Sequence, residues 1–223
     1  MPLDPEALHD QDWLEKKGSD AFFEQAPRYL DIAEVILGLR PERLLDVGCG
    51  SGYLAKLLKT RAPGLVVHGV DISSRALERA RSYVDQVWHV DLDKADLPVA
   101  AEQYETVTCV EVLEHLYDPD HTLREITRVL TRGGRVVVTV PNLAYWRYRL
   151  DLLRGRVPSP AVDRRHLHQF DHRLFAETLT RAGLRVVAMT GHGLRLGWLV
   201  RRRPDVFSDI LIATAAKVPP EHP

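Results

Sequence analysis

The sequence predicts an α/β fold built on a doubly wound, seven-stranded sheet, mostly parallel with an antiparallel last strand and with helices on both faces. Short apolar runs alternate with segments of helical periodicity, as in a parallel sheet covered on both sides. A glycine-rich turn at residues 48–52 converts the first apolar run directly into a helix. Residues 191–208 separate the last two apolar runs, and we interpret them as a long hairpin connection that reverses the final strand.

Each element has its own signal in the sequence. Apolar runs predict strands over residues 44–47, 65–70, 87–90, 106–110, 135–140, 184–189 and 209–215. Helical spacing predicts helices over residues 19–39 with a break at Pro27, over residues 53–60, from Ser73 or Ser74 onward, from Asp118 to the pair Gly133 and Gly134, and from Asp171 to Gly183. Serine and aspartate suit the helix starts because their side chains accept hydrogen bonds from the free N–H groups of the first turn.

Composition narrows the range of partners and compartments. The 223 residues suffice for one domain with a substantial core. With 30 basic and 31 acidic residues, the formal net charge of −1 gives no electrostatic reason to expect a nucleic acid or a bulk membrane surface as partner. No apolar run has membrane-spanning length and no signal peptide is visible, so we expect a cytoplasmic protein without an integral membrane segment. Cys49 and Cys109 stand in apolar runs and are expected to be buried, reduced thiols.

The glycine turn predicts a ligand at the end of the first strand. Gly48, Gly50 and Gly52 stand at alternate positions, where they allow positive φ angles and leave no Cβ between the backbone and a ligand. The helix that follows directs its free N–H groups to the same place. Asp46, inside the strand, is expected to orient the loop and not to meet a substrate.

Acidic residues follow the next three strands. Asp71 ends the second, Asp91 and Leu92 follow the third, and Glu111 follows the fourth. In an open α/β sheet, ligands bind beyond the carboxyl ends of the strands, near the point where strand order reverses. A carboxylate at Asp71 can accept hydrogen bonds from both hydroxyls of an adenosine ribose, and Asp91 with Leu92 could hold the adenine amino group and ring face. Together the strand ends predict a nucleoside-type cofactor.

The spacing of the glycines discriminates between cofactors. Nicotinamide and flavin dinucleotide sites usually read G-x-G-x-x-G, whereas this turn reads G-x-G-x-G and has Tyr53 where the third glycine would stand. The reversed last strand is a second departure from the dinucleotide-binding pattern. Both count against a dinucleotide-dependent oxidoreductase, which we keep as a remote alternative.

Over residues 28–215 the sequence resembles the class I S-adenosylmethionine-dependent methyltransferases, a Rossmann-like family. Residues 45–52 resemble its first motif and residues 70–73 its acidic second motif, and residues 90–98, 110–116 and 130–142 resemble the later ones. The resemblance implies S-adenosyl-L-methionine as cofactor and S-adenosyl-L-homocysteine as product. It places the methionine moiety on the glycine loop, and the backbone of Glu111 along the cofactor. The residues that it implies for cofactor binding are Asp46, Gly48, Cys49, Gly50, Gly52, Asp71, Ile72, Asp91, Leu92 and Glu111.

Within this family, residues 142–158 resemble the insertion of the subgroup that contains MetW, and residues 165–170 are typical of a wider group with the ubiquinone-type O-methyltransferases. The resemblance implies methyl transfer to a small-molecule acceptor, with oxygen as the expected atom. It also allows a cofactor-binding, non-catalytic partner that modulates another enzyme, and a homodimer stays a separate possibility. We expect residues 1–40 to form a helical segment that packs on the core, residues 41–218 the S-adenosylmethionine-binding domain, and residues 142–170 a substrate-side insertion.

Titratable and aromatic side chains mark the acceptor end. A hydroxyl acceptor needs a base, and histidine alone has an unperturbed pKa near neutrality. His168 and His115 are the candidate bases, although each could equally cap, pack or shape the insertion. Tyr145 and Trp146 are candidates for lining an acceptor pocket, together with His166 and His168. No set of Asp, Glu and His has metal-ligand spacing, so we expect a metal-independent mechanism.

Two groups of arginines are open to more than one interpretation. Arg147, Arg149, Arg154 and Arg156 could face an anionic acceptor or form a solvated helix face. Residues 201–203, all arginine, are interpreted as an exposed loop, with a phosphate or anionic-lipid contact as the alternative.

Overall fold

The computed structural model describes residues 27–193 and 197–218 as a seven-stranded sheet with helices on both faces. Its strands are β1 (Arg43–Val47), β2 (Val66–Asp71), β3 (Gln86–His89), β4 (Tyr104–Val110), β5 (Leu130–Pro141), β6 (Leu184–Gly193) and β7 (Ser208–Lys217). Its helices are α1 (Arg28–Gly38), α2 (Tyr53–Arg61), α3 (Ser74–Ala80), α4 (Pro119–Val129), α5 (Trp146–Leu153), α6 (Ser159–Val162), α7 (His172–Arg181), α8 (Gly197–Arg202) and α9 (Pro204–Phe207). A 3₁₀-helix spans Leu113–His115.

The strands lie in the order β3-β2-β1-β4-β5-β7-β6. β1 to β5 are parallel, whereas β7 is antiparallel to both of its neighbours. The fold class predicted from the sequence is therefore confirmed, including the reversed last strand. Strand order reverses between β1 and β4, so a cleft opens there at the carboxyl ends of the parallel strands.

Each face of the sheet has its own apolar core. On one face, α1 to α3 bury side chains such as Ile36, Leu58 and Leu77. On the other face, α4 and α7 bury Ile126 and Phe175 among others. The predicted helix starts are confirmed, because the side chains of Ser73, Asp118 and Asp171 each accept a hydrogen bond from a first-turn N–H.

The predicted end of the helix that follows the fourth strand is wrong. α4 stops at Val129, and Leu130 already pairs with β4, before Gly133 and Gly134. Pairing with β4 resumes only at Arg135, so the residues between bulge out of the sheet. Gly133 has a φ of 76°, and a Cβ on Gly134 would lie 2.9 Å from the carbonyl oxygen of Thr131 in the bulge. The glycine pair therefore serves a bulge inside β5 and not a helix cap.

Other sequence-based predictions have clear outcomes. Cys49 and Cys109 are buried free thiols, as expected. Helix α1 begins directly after Pro27, and the part of the predicted N-terminal helix over residues 19–26 lies outside the described residues. None of the helices within residues 27–193 and 197–218 combines the length and the apolar character that crossing a membrane requires.

The insertion between β5 and α7 starts and ends at one point. Asn142 is fully buried and forms an isolated bridge with Phe170. The Asn142 amide donates to the carbonyl oxygens of Ser208, at 2.8 Å, and Asp205, at 3.2 Å, and its oxygen accepts from the Ala144 N–H at 3.0 Å. This side chain thus joins the root of the insertion to the start of β7.

Replacing Asn142 by alanine should lower the free energy of unfolding by about 2–3 kcal/mol, because buried carbonyl and N–H groups would lose their partners. Urea unfolding followed by circular dichroism would measure the change. Thr60→Ala removes a hydrogen bond from an exposed hydroxyl to the Lys56 carbonyl and should change stability by less than about 0.5 kcal/mol. Equal losses in the two variants would contradict this role of Asn142.

Candidate functional site

The glycine loop leaves β1 in a conformation that only glycine adopts without strain. Gly48, Gly50 and Gly52 have φ angles of 77°, 52° and 77°. The Gly48 N–H donates to the Val70 carbonyl at 2.8 Å, and a Cβ on Gly48 would overlap the side chain of Val112. The loop is therefore pinned to β2 on one side and crowded by the segment after β4 on the other. Gly52 directly precedes α2, so the first-turn N–H groups of that helix lie at the loop.

The Asp71 carboxylate joins the loop to the next helix. One carboxylate oxygen accepts from the Gly50 N–H at 2.8 Å, and the other accepts from the Ser73 N–H at 2.8 Å. Ser73 in turn caps α3, because its hydroxyl accepts from the Ala76 N–H at 3.1 Å. Each carboxylate oxygen can accept more than one hydrogen bond, so this arrangement can position the loop and also receive ribose hydroxyls.

Asp46 acts from inside the sheet. Its side chain is 2% exposed, and it accepts a 2.6 Å hydrogen bond from the Thr108 hydroxyl on β4. Burial, and to a smaller extent the charge of Asp71, raises the pKa of Asp46 to about 7 despite the lowering effect of the hydrogen bond from Thr108. Burial also raises the pKa of the Cys49 thiol well above its usual value. The floor of the glycine loop is therefore poor in charge near neutral pH.

Asp91 and Leu92, the residues predicted to hold adenine, follow β3, which is the neighbour of β2 in the sheet. Asp91 accepts from the Asp93 N–H at 3.1 Å and forms a 2.7 Å ion pair with Lys94. Leu92 is buried. The carbonyl of Ile72, just after β2, faces the His89 ring nitrogen at 2.6 Å. The structure thus brings Asp91, Leu92 and Ile72 to the same edge as Asp71.

The start of α1 contributes residues that sequence reasoning missed. Arg28 forms a 3.0 Å ion pair with Glu111, which has a φ of 55°, unusual for a residue other than glycine. Tyr29 packs edge-on against Tyr53, the first residue of α2, with ring centroids 5.5 Å apart. Burial and the charge of Glu111 raise the pKa of Tyr29. Helix α1 therefore closes the glycine-loop end of the cleft. In the sequence, these contacts are marked by nothing more than an arginine and a tyrosine directly after Pro27.

His115 and His166 come together from distant parts of the chain. Their ring centroids are 5.0 Å apart, and each Nδ1 lies 3.0 Å from a backbone carbonyl, that of Arg165 or of Pro160. A carbonyl accepts only, so Nδ1 carries the proton and Nε2 the lone pair in the neutral rings. One ligand atom from each ring and one from Glu114 lie within 4.8 Å of one another. These are donors that a divalent cation takes, and chain spacing did not predict the cluster because His166 belongs to the insertion.

His168 is held differently from the other two histidines. Its backbone N–H donates to the Glu114 carbonyl at 3.1 Å, and its ring is tilted over Phe170 at 6.4 Å between centroids. The Leu167 N–H donates to the same carbonyl at 2.7 Å. The insertion is therefore fastened to the 3₁₀-helix through its backbone. These contacts place His168 against the aromatic base of the insertion and give its ring no part in the cluster of Glu114.

Aromatic residues directly before α5 and in its first turn pack at the base of the insertion. Tyr145 is buried, and its ring meets those of Trp146 and Tyr148 at 6.0 and 5.3 Å between centroids. The Trp146 indole nitrogen and one carboxylate oxygen of Asp209 are buried, and neither atom forms a hydrogen bond. Burial and the charge of Asp209 raise the pKa of Tyr148. A buried donor and a buried acceptor without partners are positions that a bound polar ligand could satisfy. Sequence reasoning singled out Tyr145 and Trp146 but not Asp209.

The arginine groups are exposed on the described surface. Arg147, Arg149, Arg154 and Arg156 of the insertion all lie at the surface. The second group is not a loop as predicted, because α8 extends to Arg202. Arg203 then forms a 2.9 Å ion pair with Asp205.

A glycine turn after β1, a carboxylate after β2 and a cleft at the switch in strand order define a nucleoside-binding α/β protein. The methyltransferase domain family matches residues 22–189 of the chain. The chain therefore belongs to this family, the class I S-adenosylmethionine-dependent methyltransferases, as the sequence motifs indicated. This membership sets aside the dinucleotide-dependent oxidoreductase.

Relatives of this chain differ in the share of their own length that it matches. A ubiquinone biosynthesis O-methyltransferase of Acinetobacter baylyi is 30% identical over 166 residues, 69% of this chain and 68% of that protein. A demethylmenaquinone methyltransferase of Thermotoga maritima is 36% identical over 107 residues, 48% of this chain and 47% of that protein. Several matches thus span only about half of the relative, as does that to a ubiquinone biosynthesis O-methyltransferase of Nitrosomonas europaea, at 49%.

Solved structures share the fold. An S-adenosylmethionine-dependent methyltransferase of Thermotoga maritima superposes with a TM-score of 0.71 at 19% identity, over 94% of this chain and 99% of that one. A chain from the complex between a Haloferax volcanii methyltransferase and its activator Trm112 superposes with a TM-score of 0.67 at 21% identity, over 96% of this chain and 99% of that one. At these identities the likeness establishes the fold alone.

The raised pKa of Asp46 should make stability depend on pH. Its folded pKa of about 7 lies above the usual value of 3.8, so its contribution to stability is fully present below about pH 4 and is lost as pH rises through about 7. Asp46→Asn can still accept the Thr108 hydrogen bond and should gain melting temperature relative to the unmodified protein between about pH 5 and pH 8. Thermal melting across this range measures the difference.

Asp120→Asn is the control, because it removes the same charge from an exposed ion pair with Arg181. A constant offset between Asp46→Asn and the unmodified protein at every pH would contradict the shifted pKa.

Proposed function

We propose that this protein transfers the methyl group of S-adenosylmethionine to an oxygen atom of a small-molecule acceptor. The observation that carries the proposal is the Asp71 carboxylate, which holds the glycine loop through Gly50 at the end of β2, beside the strand that Asp91 follows. When bound, S-adenosylmethionine supplies a methyl group on a sulfonium, ready for in-line displacement. The residues fit this cofactor, because the loop has no room for a Cβ at Gly48 and carboxylates follow both β2 and β3.

Arg28 is the residue that we assign to the methionine end of the cofactor. Its guanidinium already pairs with a carboxylate, that of Glu111, at the end of β4. The cofactor carries a carboxylate of its own, and guanidinium–carboxylate pairs are strong and directional. In this role the Arg28 guanidinium binds the carboxylate of the cofactor. The Glu111 carboxylate, no longer paired with Arg28, then attracts the ammonium group of the cofactor.

The acceptor is proposed to lie between the insertion and the 3₁₀-helix. His115 holds its Nδ1 proton on the Arg165 carbonyl, so its Nε2 lone pair can take the proton of an acceptor hydroxyl. The geometry supports His115 for this role better than His168, which packs against Phe170. Matched relatives carry the name ubiquinone biosynthesis O-methyltransferase, which favours a phenolic acceptor. Tyr145 and Trp146 would contact its ring, and Asp209 would accept from a polar substituent.

Arg28→Ala and Asp71→Ala should each weaken S-adenosylmethionine binding, by roughly tenfold to a hundredfold, because each removes a charged hydrogen-bonding partner. Isothermal titration calorimetry measures the dissociation constant. Arg61→Ala is the matched control, since Arg61 is exposed and pairs with Glu34 at 3.9 Å on the outside of the helices, and it should bind as the unmodified protein does. If the unmodified protein binds no S-adenosylmethionine, the proposed function is wrong.

His115→Ala should lower the turnover of a catechol-type phenol by roughly a hundredfold to ten-thousandfold, the usual contribution of a general base, with cofactor binding retained. Turnover is measured as S-adenosylhomocysteine formed, across a pH series. His121→Ala is the control, because His121 pairs with Asp96 on the surface.

Each turnover assay is run with a chelator and again with an added divalent cation. Rescue by the cation would assign the cluster of Glu114, His115 and His166 to metal binding, contrary to the metal-independent mechanism expected from the sequence. Cofactor binding without turnover of phenols, hydroxy acids or amines would support the non-catalytic partner instead.

A further inference from the structure

The outer surface of the insertion, residues 146–164, exposes several large apolar side chains. Leu153 is 83% exposed, Val157 63% and Val162 60%, and Leu150 and Leu152 are exposed as well. No residue of α5 is buried. Soluble proteins rarely group large apolar side chains on one exposed segment without a partner.

The apolar side chains of α5 form a stripe with arginines on both sides. Successive residues of an α-helix are about 100° apart around its axis, which puts exposed Leu150 and Leu153 on one side, away from buried Tyr145. Arg149 lies on one flank of this stripe, and Arg147 and Arg154 lie on the other. The Arg147 guanidinium lies 5.8 Å from the centroid of the Trp146 ring. Apolar side chains flanked by basic ones are the pattern of a helix that lies in a membrane interface.

The positive charge of this surface is local. Arg156 and Arg164 are also exposed there, although the whole chain has a formal net charge of −1. The carboxylates within the insertion are Asp151, which is half-buried, and Asp163, which binds Arg165 at 2.7 Å. The exposed arginines therefore outnumber the nearby acids and present a field that attracts an anionic surface.

We propose that the outer surface of the insertion, residues 146–164, docks on an anionic lipid membrane. The leucine and valine side chains enter the interface between head groups and acyl chains, while the arginines contact lipid phosphates. The histidine cluster under the insertion would then face a cleft whose mouth is at the bilayer, where an apolar acceptor concentrates. Binding to the membrane does not depend on the proposed reaction, so either can fail without the other.

Sedimentation with vesicles tests the proposal on the full chain. The protein should bind vesicles of phosphatidylcholine with phosphatidylglycerol and bind those of phosphatidylcholine alone far more weakly, and added salt should reduce the binding. The variant Leu150→Glu/Leu153→Glu should lose roughly tenfold or more in partitioning. Arg147→Gln/Arg154→Gln/Arg156→Gln should lose roughly a hundredfold, since each basic residue near an anionic surface contributes roughly fivefold.

The control variant is Val66→Glu/Val218→Glu. It makes the same change of charge at exposed apolar positions at the opposite end of the sheet, and it should bind vesicles almost as the unmodified protein does. Circular dichroism and thermal melting establish that each variant is folded, whether or not it binds S-adenosylmethionine.

Three results would overturn the proposal. The first is equal binding to both kinds of vesicle, or binding to neither. The second is equal loss in the control and in the insertion variants. The third is a dimer of the unmodified protein in sedimentation velocity that Leu150→Glu/Leu153→Glu dissociates, because this surface would then be occupied by a second copy of the chain.

Discussion

The hydrogen bonds of the Asp71 carboxylate are the constraint on which the rest of the site depends. They tie three elements together: the glycine loop through Gly50, strand β2 through Asp71 itself, and the start of α3 through Ser73. Hydrogen bonds from backbone N–H groups to an ionised carboxylate are shorter and stronger than those between two neutral groups. The loop is therefore held in shape before any ligand enters, and little conformational freedom remains to be lost on binding.

The acidic residues of the cleft differ in what they can do near neutral pH. Asp46 is buried on Thr108 and has a pKa of about 7, so it is only partly ionised there. Glu111 is already paired with Arg28. A cation beside the loop would favour the ionised form of Asp46, whereas an uncharged ligand would not. The charge of the cleft can thus adapt to a positively charged cofactor without moving the backbone.

Much of this fold follows from local patterns. The β1 run, the glycine turn and the caps at Ser73, Asp118 and Asp171 are each set by a few adjacent residues, and the sequence predicts them correctly. The prediction for Gly133 and Gly134 is wrong because helix ends and bulges both use glycine at positive φ. Only the pairing of Leu130 with β4 decides between them.

The missed parts of the candidate site are contacts across long stretches of chain. Arg28 meets Glu111 and His115 meets His166 because the fold brings those segments together. Asp209 lies in the last strand, where its sequence surroundings are those of any apolar strand. No periodicity or spacing in the sequence encodes such pairs.

The closure of the insertion at Asn142 and Phe170 has a consequence for how this protein could diversify. Because the segment leaves and re-enters the domain at a single bridge, its length and composition can change without altering the register between β5 and β7. The insertion can therefore vary independently of the rest of the domain. A lineage could replace or lengthen this segment while the residues that hold the glycine loop, which lie outside it, stay the same.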